Sequence, residues 1–564
     1  MAYDPNLDWV FWAVLAAYFA FLVIAGIRAK KKTHTFEDYM VAGRKIGPVL
    51  LGLSFGVTYF SAVMIVGGGE FSYIWGLASI WIGVIDAAVG IFAAFILLGK
   101  RTSRMSAHFN ALTVSELLAK RYKSEGLRKW TATIILIFET IYLVSIYMGL
   151  SILLQYAMPT IDPTVTYTVA VVLCGIITII YLNVGGAHGT ITTDVVESLI
   201  MLLGVFFIFL FGLIAVGGLE GLITTLQTIG SGLPTGQNTL TVAPPAISPA
   251  GWLGYILVTS FGVWGMPQMI TRYFTASKNK SLRWGVLISV SWGLVVSLLA
   301  WWNGVIGRAF YFLHPPDGVN ILGMQGGFDQ IIPALMRDTL PLLLAALFIA
   351  AVTAASLTTG EKVIMVASSA FSRDFYQTAT KCDDRKAMRI TKILNIVVVV
   401  VAIWLALQKP DAVLALCMFA WAALAATTLV PYVFGLFWKK GTAKAAIWTG
   451  VIALIVALFW KMGIKGFASP GAGNPAWAAG LFPFEWLKPF GNIQLFPGFF
   501  IKDIHEFMMS QIVAIILFPI LSIVTKKDLD TKYVDEICAA IKKPVKIAPE
   551  REVGNIPSTG NPSS

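Results

Sequence analysis

The chain has 564 residues, of which 57% are hydrophobic and only 13% charged, with a mean hydropathy of +0.76 and a net charge of +12. Soluble proteins carry about 25% charged residues, so the deficit marks surface that faces lipid and excludes a water-soluble globular protein. The positive charge is spread over alternate short loops and not gathered in one domain, which is the pattern of membrane topology and not of a nucleic-acid surface.

In chain order, the first apolar stretch runs from Trp9 to Ile27 and is long enough to cross a hydrocarbon core. Asp4 and Asp8 precede it, no basic region does, and no small-residue cleavage site follows, so it reads as a span and not a cleaved leader. Hydropathy and length place about thirteen spans, at 9–27, 47–70, 77–99, 130–158, 164–183, 195–217, 251–274, 285–313, 340–372, 391–407, 412–437, 445–465 and 506–525. With the N-terminus outside, segments 28–46, 100–129, 271–283, 373–392, 439–444 and 526–564 are cytoplasmic and hold 34 of the 42 lysines and arginines. That bias predicts a multi-pass protein of the cell (inner) membrane with its C-terminus in the cytoplasm.

The second span contains Gly52, Ser54, Gly56, Thr58 and Ser61, with Gly67, Gly68 and Gly69 beyond. Such a cluster weakens a helix, and carbonyls freed in lipid persist only where they line a cavity or bind something. The seventh span repeats this with Ser260, Gly262, Gly265 and Pro267, whose ring removes one hydrogen bond and collides with the preceding turn. Packing glycines and a proline kink are the plainer account, since both are common in membrane helices. Two interrupted spans five positions apart fit two inverted five-helix repeats, spans 2–6 and 7–11, around a central site. The predicted fold is therefore an all-α polytopic membrane protein with discontinuous core helices. Its parts are a leading helix and first loop (1–45), a first repeat (46–217), an extracellular loop (218–250), a second repeat (251–437), trailing helices with a second loop (438–525) and a cytoplasmic tail (526–564), disordered at its end.

Several carboxylates stand in or near spans, three of them inside spans of the first repeat ahead of the motif at Asp194. Asp86 in the third is costly there and reads as a substrate contact or as a protonated or paired group, while Glu139 and Glu70 read as interhelical hydrogen-bonding groups. Cys174 and Cys417 fall in spans and Cys382 and Cys538 in cytoplasmic segments, which indicates neither a disulfide framework nor a metal site. His34, His108, His188, His314 and His505 are scattered, and no phosphate-binding lysine loop or nucleophile elbow occurs, so the expectation is a transporter and not an enzyme or an ATP-driven pump.

Four short motifs give the chain a family resemblance. They are Glu37-Asp38-Tyr39 through Gly43-Arg44 in the first cytoplasmic loop, Thr113 to Tyr122 in the second, Gly185-Gly186-Ala187-His188-Gly189 through Thr193-Asp194 opening the sixth span, and Asp374-Phe375-Tyr376 ending the ninth. In this order and topology they resemble the sodium/solute symporter family, over about residues 36–440. The resemblance implies a LeuT-like fold and sodium as the coupling ion. Its sodium ligands fall on the backbone carbonyls of Val57, Phe60 and Ala355 and the hydroxyls of Thr358 and Thr359. Ala355, Thr358 and Thr359 share one helix face, and neutral oxygens suit a hard cation that must be released again. Without the family, each threonine would be read as bonding its own helix's preceding carbonyl.

The substrate is less defined by these motifs. Trp264, Pro267 and Arg272 look like the proline, pantothenate and acetate branch, yet Thr259 and Val263 stand where the proline symporter has aromatic contacts, and Met64 where the sugar branch has glutamine. A small monocarboxylate or neutral amino acid is favoured, with Tyr59, Ser61, Met64, Asp86, Trp264 and Pro267 as candidate contacts. Some relatives bind a second sodium through hydroxyls on the ninth span and an aspartate matched by Asp194. Here Glu361 and Lys362 occupy the hydroxyl positions, so Lys362 is expected to pair with Asp194 as a tethered cation, giving one sodium per substrate. The partners expected are a small solute, sodium and the bilayer. The rival readings are a proton-coupled transporter on the same architecture, a transporter-like membrane sensor and a non-coupled channel.

Overall fold

The computed structural model describes residues 8–30, 35–60, 63–157, 162–231, 249–276, 279–315, 330–409, 413–465, 494–496 and 499–542. The principal helices are α1 (Asp8–Lys30), α2 (Pro48–Tyr59), α3 (Glu125–Ala157), α4 (Pro163–Ala215), α5 (Pro249–Ser260), α6 (Pro267–Phe274), α7 (Asn279–Leu313), α8 (Leu342–Phe371), α9 (Asp384–Leu407), α10 (Val413–Phe437), α11 (Ala443–Phe459) and α12 (Glu506–Val524). Among the described residues, eight helices are long and apolar enough to cross a membrane, or nine if the bent pair around Met266 counts as one span. Trp9–Phe21, Pro48–Tyr59 and Thr164–Ile180 are shorter apolar helices, so length and composition do not fix the expected count of thirteen. Among the described residues the fold is helical apart from an isolated bridge between Ile46 and Ala276 and a small antiparallel hairpin pairing Gln494–Phe496 with Phe499–Phe500, between α11 and α12.

The two interruptions read from the sequence are breaks in the backbone. After α2 the chain leaves helical geometry at Phe60 (φ −100°, ψ 111°), and the span continues as a π-helical turn at Val63–Gly67 and a helix at Gly68–Trp75. In the second break, α5 passes through a tight turn at Gly262–Gly265, Met266 is extended (φ −73°, ψ 121°), and Pro267 opens α6 where its missing N–H costs nothing. The halves around Met266 are bent by 46°. The two broken spans also meet end to end, where the Ile46 amide donates to the Thr275 carbonyl at 3.1 Å.

The fifth and sixth windows are two helices that meet at a sharp break at Gly186 (φ 54°, ψ −158°), and α4 is used for the pair. A side chain there would be strained by the positive φ, and its Cβ would lie 2.6 Å from Cδ2 of Tyr39. The chain turns again at Gly217 and Gly218, both with positive φ, and a further helix, Gly218–Ser231, occupies the first part of the segment read as an extracellular loop.

Packing around the breaks is close. A Cβ on Gly52 would stand 2.6 Å from the Gly285 carbonyl, so α2 and α7 approach nearly backbone to backbone, as small residues permit in membranes. The most apolar window of α10 is 94% buried and that of α12 only 33%, which puts α10 in the centre and α12 at the edge. α8 packs against α3 and α4, and α1 against α4. Trp81, Leu199, Leu343 and Ile523 are among the large apolar side chains left on the perimeter, where lipid solvates them.

Candidate functional site

Three of the sequence motifs converge at one end of the helices. Thr113 caps the helix Val114–Tyr122 by accepting from the Glu116 amide. Its hydroxyl also donates to Asp374 at 3.1 Å, while Arg128 reaches the same carboxylate at 2.7 Å. Glu116 takes Lys120 at 2.8 Å and Arg373 at 3.3 Å. Burial works against the Glu116 carboxylate, but Arg373 and Lys120 outweigh it and hold its pKa below the usual range. For Asp374 burial wins, pushing the carboxyl up to about 6 in spite of Arg128. In the first loop, Arg44 ties Glu37 at 2.8 Å to the Ala111 carbonyl at 2.8 Å. These residues clamp the loops to the end of the ninth span.

Deeper in the protein, α8 faces α2 and α4. Thr359 Oγ1 donates to the Val57 carbonyl at 3.1 Å, which joins the ninth span to the first core helix one turn before its break. Phe60 is buried at the break itself, and Ala355 lies one turn before Thr359 in α8. Thr358 turns the other way, donating to Glu197 Oε2 of α4 at 2.7 Å. The other oxygen of Glu197 accepts from the Tyr18 hydroxyl of α1 at 3.0 Å.

One turn further along α8, Lys362 Nζ stands 2.6 Å from Asp194 Oδ1, and neither side chain is exposed at all. The second oxygen of Asp194 accepts from the Ser54 hydroxyl, which Arg272 Nη1 also approaches at 3.4 Å. One polar network thus joins α2, α4, α6 and α8. Glu361 is buried beside it, and among the described residues neither of its oxygens has a hydrogen-bond partner.

The substrate candidates gather between the two breaks. The Tyr59 hydroxyl donates to the Thr259 carbonyl at 2.5 Å, Ser260 donates to Asp86 at 3.0 Å, and Trp264 Nε1 donates to the Val89 carbonyl at 3.1 Å. The two broken spans therefore meet each other and the third span at one place. Met64 is buried just past the first break, Pro267 begins α6, and Ser61 falls outside the described residues. Tyr142 and Trp421 add an aromatic wall, with Trp421 centred 6.4 Å from the Tyr59 ring and 5.6 Å from that of Tyr142. Glu139, read from the sequence as an interhelical hydrogen-bonding group, is buried with no hydrogen-bond partner for either oxygen among the described residues.

Sequence reasoning named Ser54 only as part of the cluster that weakens the second span, and passed over Glu197 and Tyr18. Glu197 was detectable, because a carboxylate three residues after Asp194 shares its helix face inside a span. Tyr18 was not, since nothing in the pattern of α1 sets one aromatic hydroxyl apart.

Residues 39–453 match the model of the Sodium:solute symporter family. The sodium/pantothenate symporter of Haemophilus influenzae is 28% identical over 467 residues, covering 80% of this chain and 91% of that one. A sodium/proline symporter of Staphylococcus aureus is 25% identical over 535 residues, covering 91% and 94%. Among solved structures, a sodium-coupled sialic acid symporter in a substrate-bound outward-open state superposes with a TM-score of 0.70 over 91% of this chain and 97% of its own, at 19% identity. A nucleobase-cation-symport-1 family transporter gives a TM-score of 0.51 over 89% and 98%, at 13% identity. At those identities the superpositions speak to the fold, which is LeuT-like, while the family match runs from Tyr39 of the first motif through the other three, both breaks and the buried charged network. The chain belongs to the sodium:solute symporter family.

Proposed function

We propose that this protein is a secondary active transporter of the cell (inner) membrane that couples uptake of a small organic solute to sodium by alternating access, with its N-terminus outside and its C-terminus in the cytoplasm. The observation that carries the reading is the contact of Thr359 with the Val57 carbonyl, which sets hydroxyl oxygens of α8 against backbone oxygens at the break in α2. Sodium, as a transported cation, would take the carbonyls of Val57, Phe60 and Ala355 and the hydroxyls of Thr358 and Thr359. These neutral oxygens hold a hard cation loosely enough to let it go. Lys362 on Asp194 serves as a built-in positive charge where a second sodium would otherwise sit, so the stoichiometry is one sodium per solute.

The solute is a small monocarboxylate or neutral amino acid. Pantothenate, proline and sialic acid, named for the related transporters, all carry a carboxylate. The start of α6, behind Pro267, turns the positive end of its helix dipole toward the break and so favours such a group. Tyr59, Ser61, Met64, Asp86 and Trp264 would border it. Proteoliposomes containing the purified chain, given a panel of labelled acids with sodium and proton gradients imposed separately, test the reading. Uptake driven by sodium alone is expected, and uptake that follows only the proton gradient would replace sodium by a proton. That second reading draws on Glu361 and Glu139, carboxyl groups whose burial without hydrogen-bond partners among the described residues suits proton carriers.

A further inference from the structure

The hydroxyls of Thr358 and Thr359 point to different helices. Thr359 donates to α2, whereas Thr358 gives its hydrogen to Glu197 of α4 at 2.7 Å. A hydroxyl that donates to a carboxylate turns its oxygen, and not its hydrogen, toward a cation and gains electron density from the bond. Glu197 is completely buried, and among the described residues both hydrogen bonds to it come from neutral hydroxyls, those of Thr358 and Tyr18. The nearby ammonium of Lys362 is committed to Asp194 at 2.6 Å. A buried carboxylate served only by hydroxyls is short of positive charge, and a cation bound to the Thr358 oxygen supplies it.

We infer that Glu197, fixed by Tyr18, is a positioning residue for sodium: it orients the Thr358 hydroxyl and balances the charge of the ion from the second coordination sphere. The inference rests on the sodium site proposed above and adds to it a carboxylate on α4 and a phenol on α1. It gives the leading helix, which lies outside both repeats, a direct link to the coupling ion. Outer-sphere partners of this kind typically change cation affinity by about 10- to 100-fold when removed.

Binding of radiolabelled sodium to the purified full-length chain, in a choline background without organic solute, tests it. Glu197→Gln retains an acceptor for Thr358 but loses the charge, and is expected to raise the sodium Kd by about tenfold. Tyr18→Phe removes only the anchoring bond and is expected to raise it about threefold, with the melting temperature in choline unchanged. The rise in melting temperature that sodium gives the wild type should shrink in the same order. If Glu197→Gln binds sodium as the wild type does while Thr358→Ala binds it weakly, the role of Glu197 is overturned and the sodium site stands. If Thr358→Ala also binds normally, the site itself is wrong. Should Glu197→Gln prove unstable, Tyr18→Phe decides: a wild-type Kd there overturns the inference.

Discussion

The ammonium of Lys362 and the carboxylate of Asp194 meet at 2.6 Å with both side chains fully buried, one turn along α8 from Thr358 and Thr359. Removing one partner leaves the other charge unpaired in a low-dielectric interior, a loss of about 3–5 kcal/mol. Lys362→Met should therefore nearly abolish folded, active protein, and Lys362→Met with Asp194→Asn should regain a measurable part of both abundance and uptake. A double variant no better than the single one, or two sodium ions moved per solute by the wild type, would remove Lys362 as the stand-in for a second cation.

Thr358→Ala and Thr359→Ala should each raise the sodium concentration for half-maximal uptake by about tenfold or more, because each deletes one of a few oxygen ligands. Abundance should change little for Thr359→Ala, a small loss of packing, while Thr358→Ala also takes a hydrogen bond from buried Glu197, so uptake is compared per folded protein. Wild-type sodium dependence in both variants contradicts the site.

Asp86 separates the two solute classes. It accepts a hydrogen bond from Ser260 at 3.0 Å between the two breaks, and Asp86→Asn preserves the size and the acceptor while removing the charge. If the carboxylate holds a substrate ammonium, amino-acid uptake should fall by about 100-fold, the cost of losing a buried charged contact. Uptake of a monocarboxylate should survive. Equal effects on both classes would make Asp86 a packing residue.

Tyr59 and Trp264 border the meeting point of the broken spans, so cysteines placed there should react more slowly with thiol reagents when a transported solute is present. Labelling rates unchanged by every transported compound would move the solute site elsewhere.

The clamp around Asp374 and Glu116 gives a pH test. The Asp374 carboxyl, raised to about 6 from 3.8, favours the folded state most below its unfolded pKa, and that contribution is lost as pH rises through 6. Arg128, at 2.7 Å, limits the loss. Arg128→Gln should therefore destabilise the protein by about 2 kcal/mol at pH 7.5, a value discounted for the partial exposure of Arg128, and by clearly less at pH 5. Adding Asp374→Asn should erase the difference between the two pH values in melting measurements. Glu116 runs the opposite way, because its lowered pKa gives stability above pH 4.5 that is lost as pH falls. A melting temperature for Arg128→Gln that drops equally at both pH values would show that the ion pair is not what the clamp depends on.

What the sequence determined by itself was whatever composition and covalent geometry dictate. Few charges force helices into lipid, because unsatisfied backbone groups are intolerable there, and Pro267 and the glycines near Ser54 and Ser260 locate the breaks because no continuous helix tolerates them well. The pairing of Lys362 with Asp194 was legible for a similar reason, since an ammonium in a span demands an anion and the family resemblance offered that one. The tertiary structure alone decided which way equal groups turn. Thr358 and Thr359 are adjacent and chemically identical, yet the roughly 100° step of a helix sends one to Glu197 and the other to Val57. Likewise, α1 brings Tyr18 against α4 across 179 residues, and Tyr39 packs onto Gly186, at the break between two expected spans, where a side chain would find no room. Such contacts are set by how helices pack, and each depends on residues too far apart in the chain for local periodicity to encode.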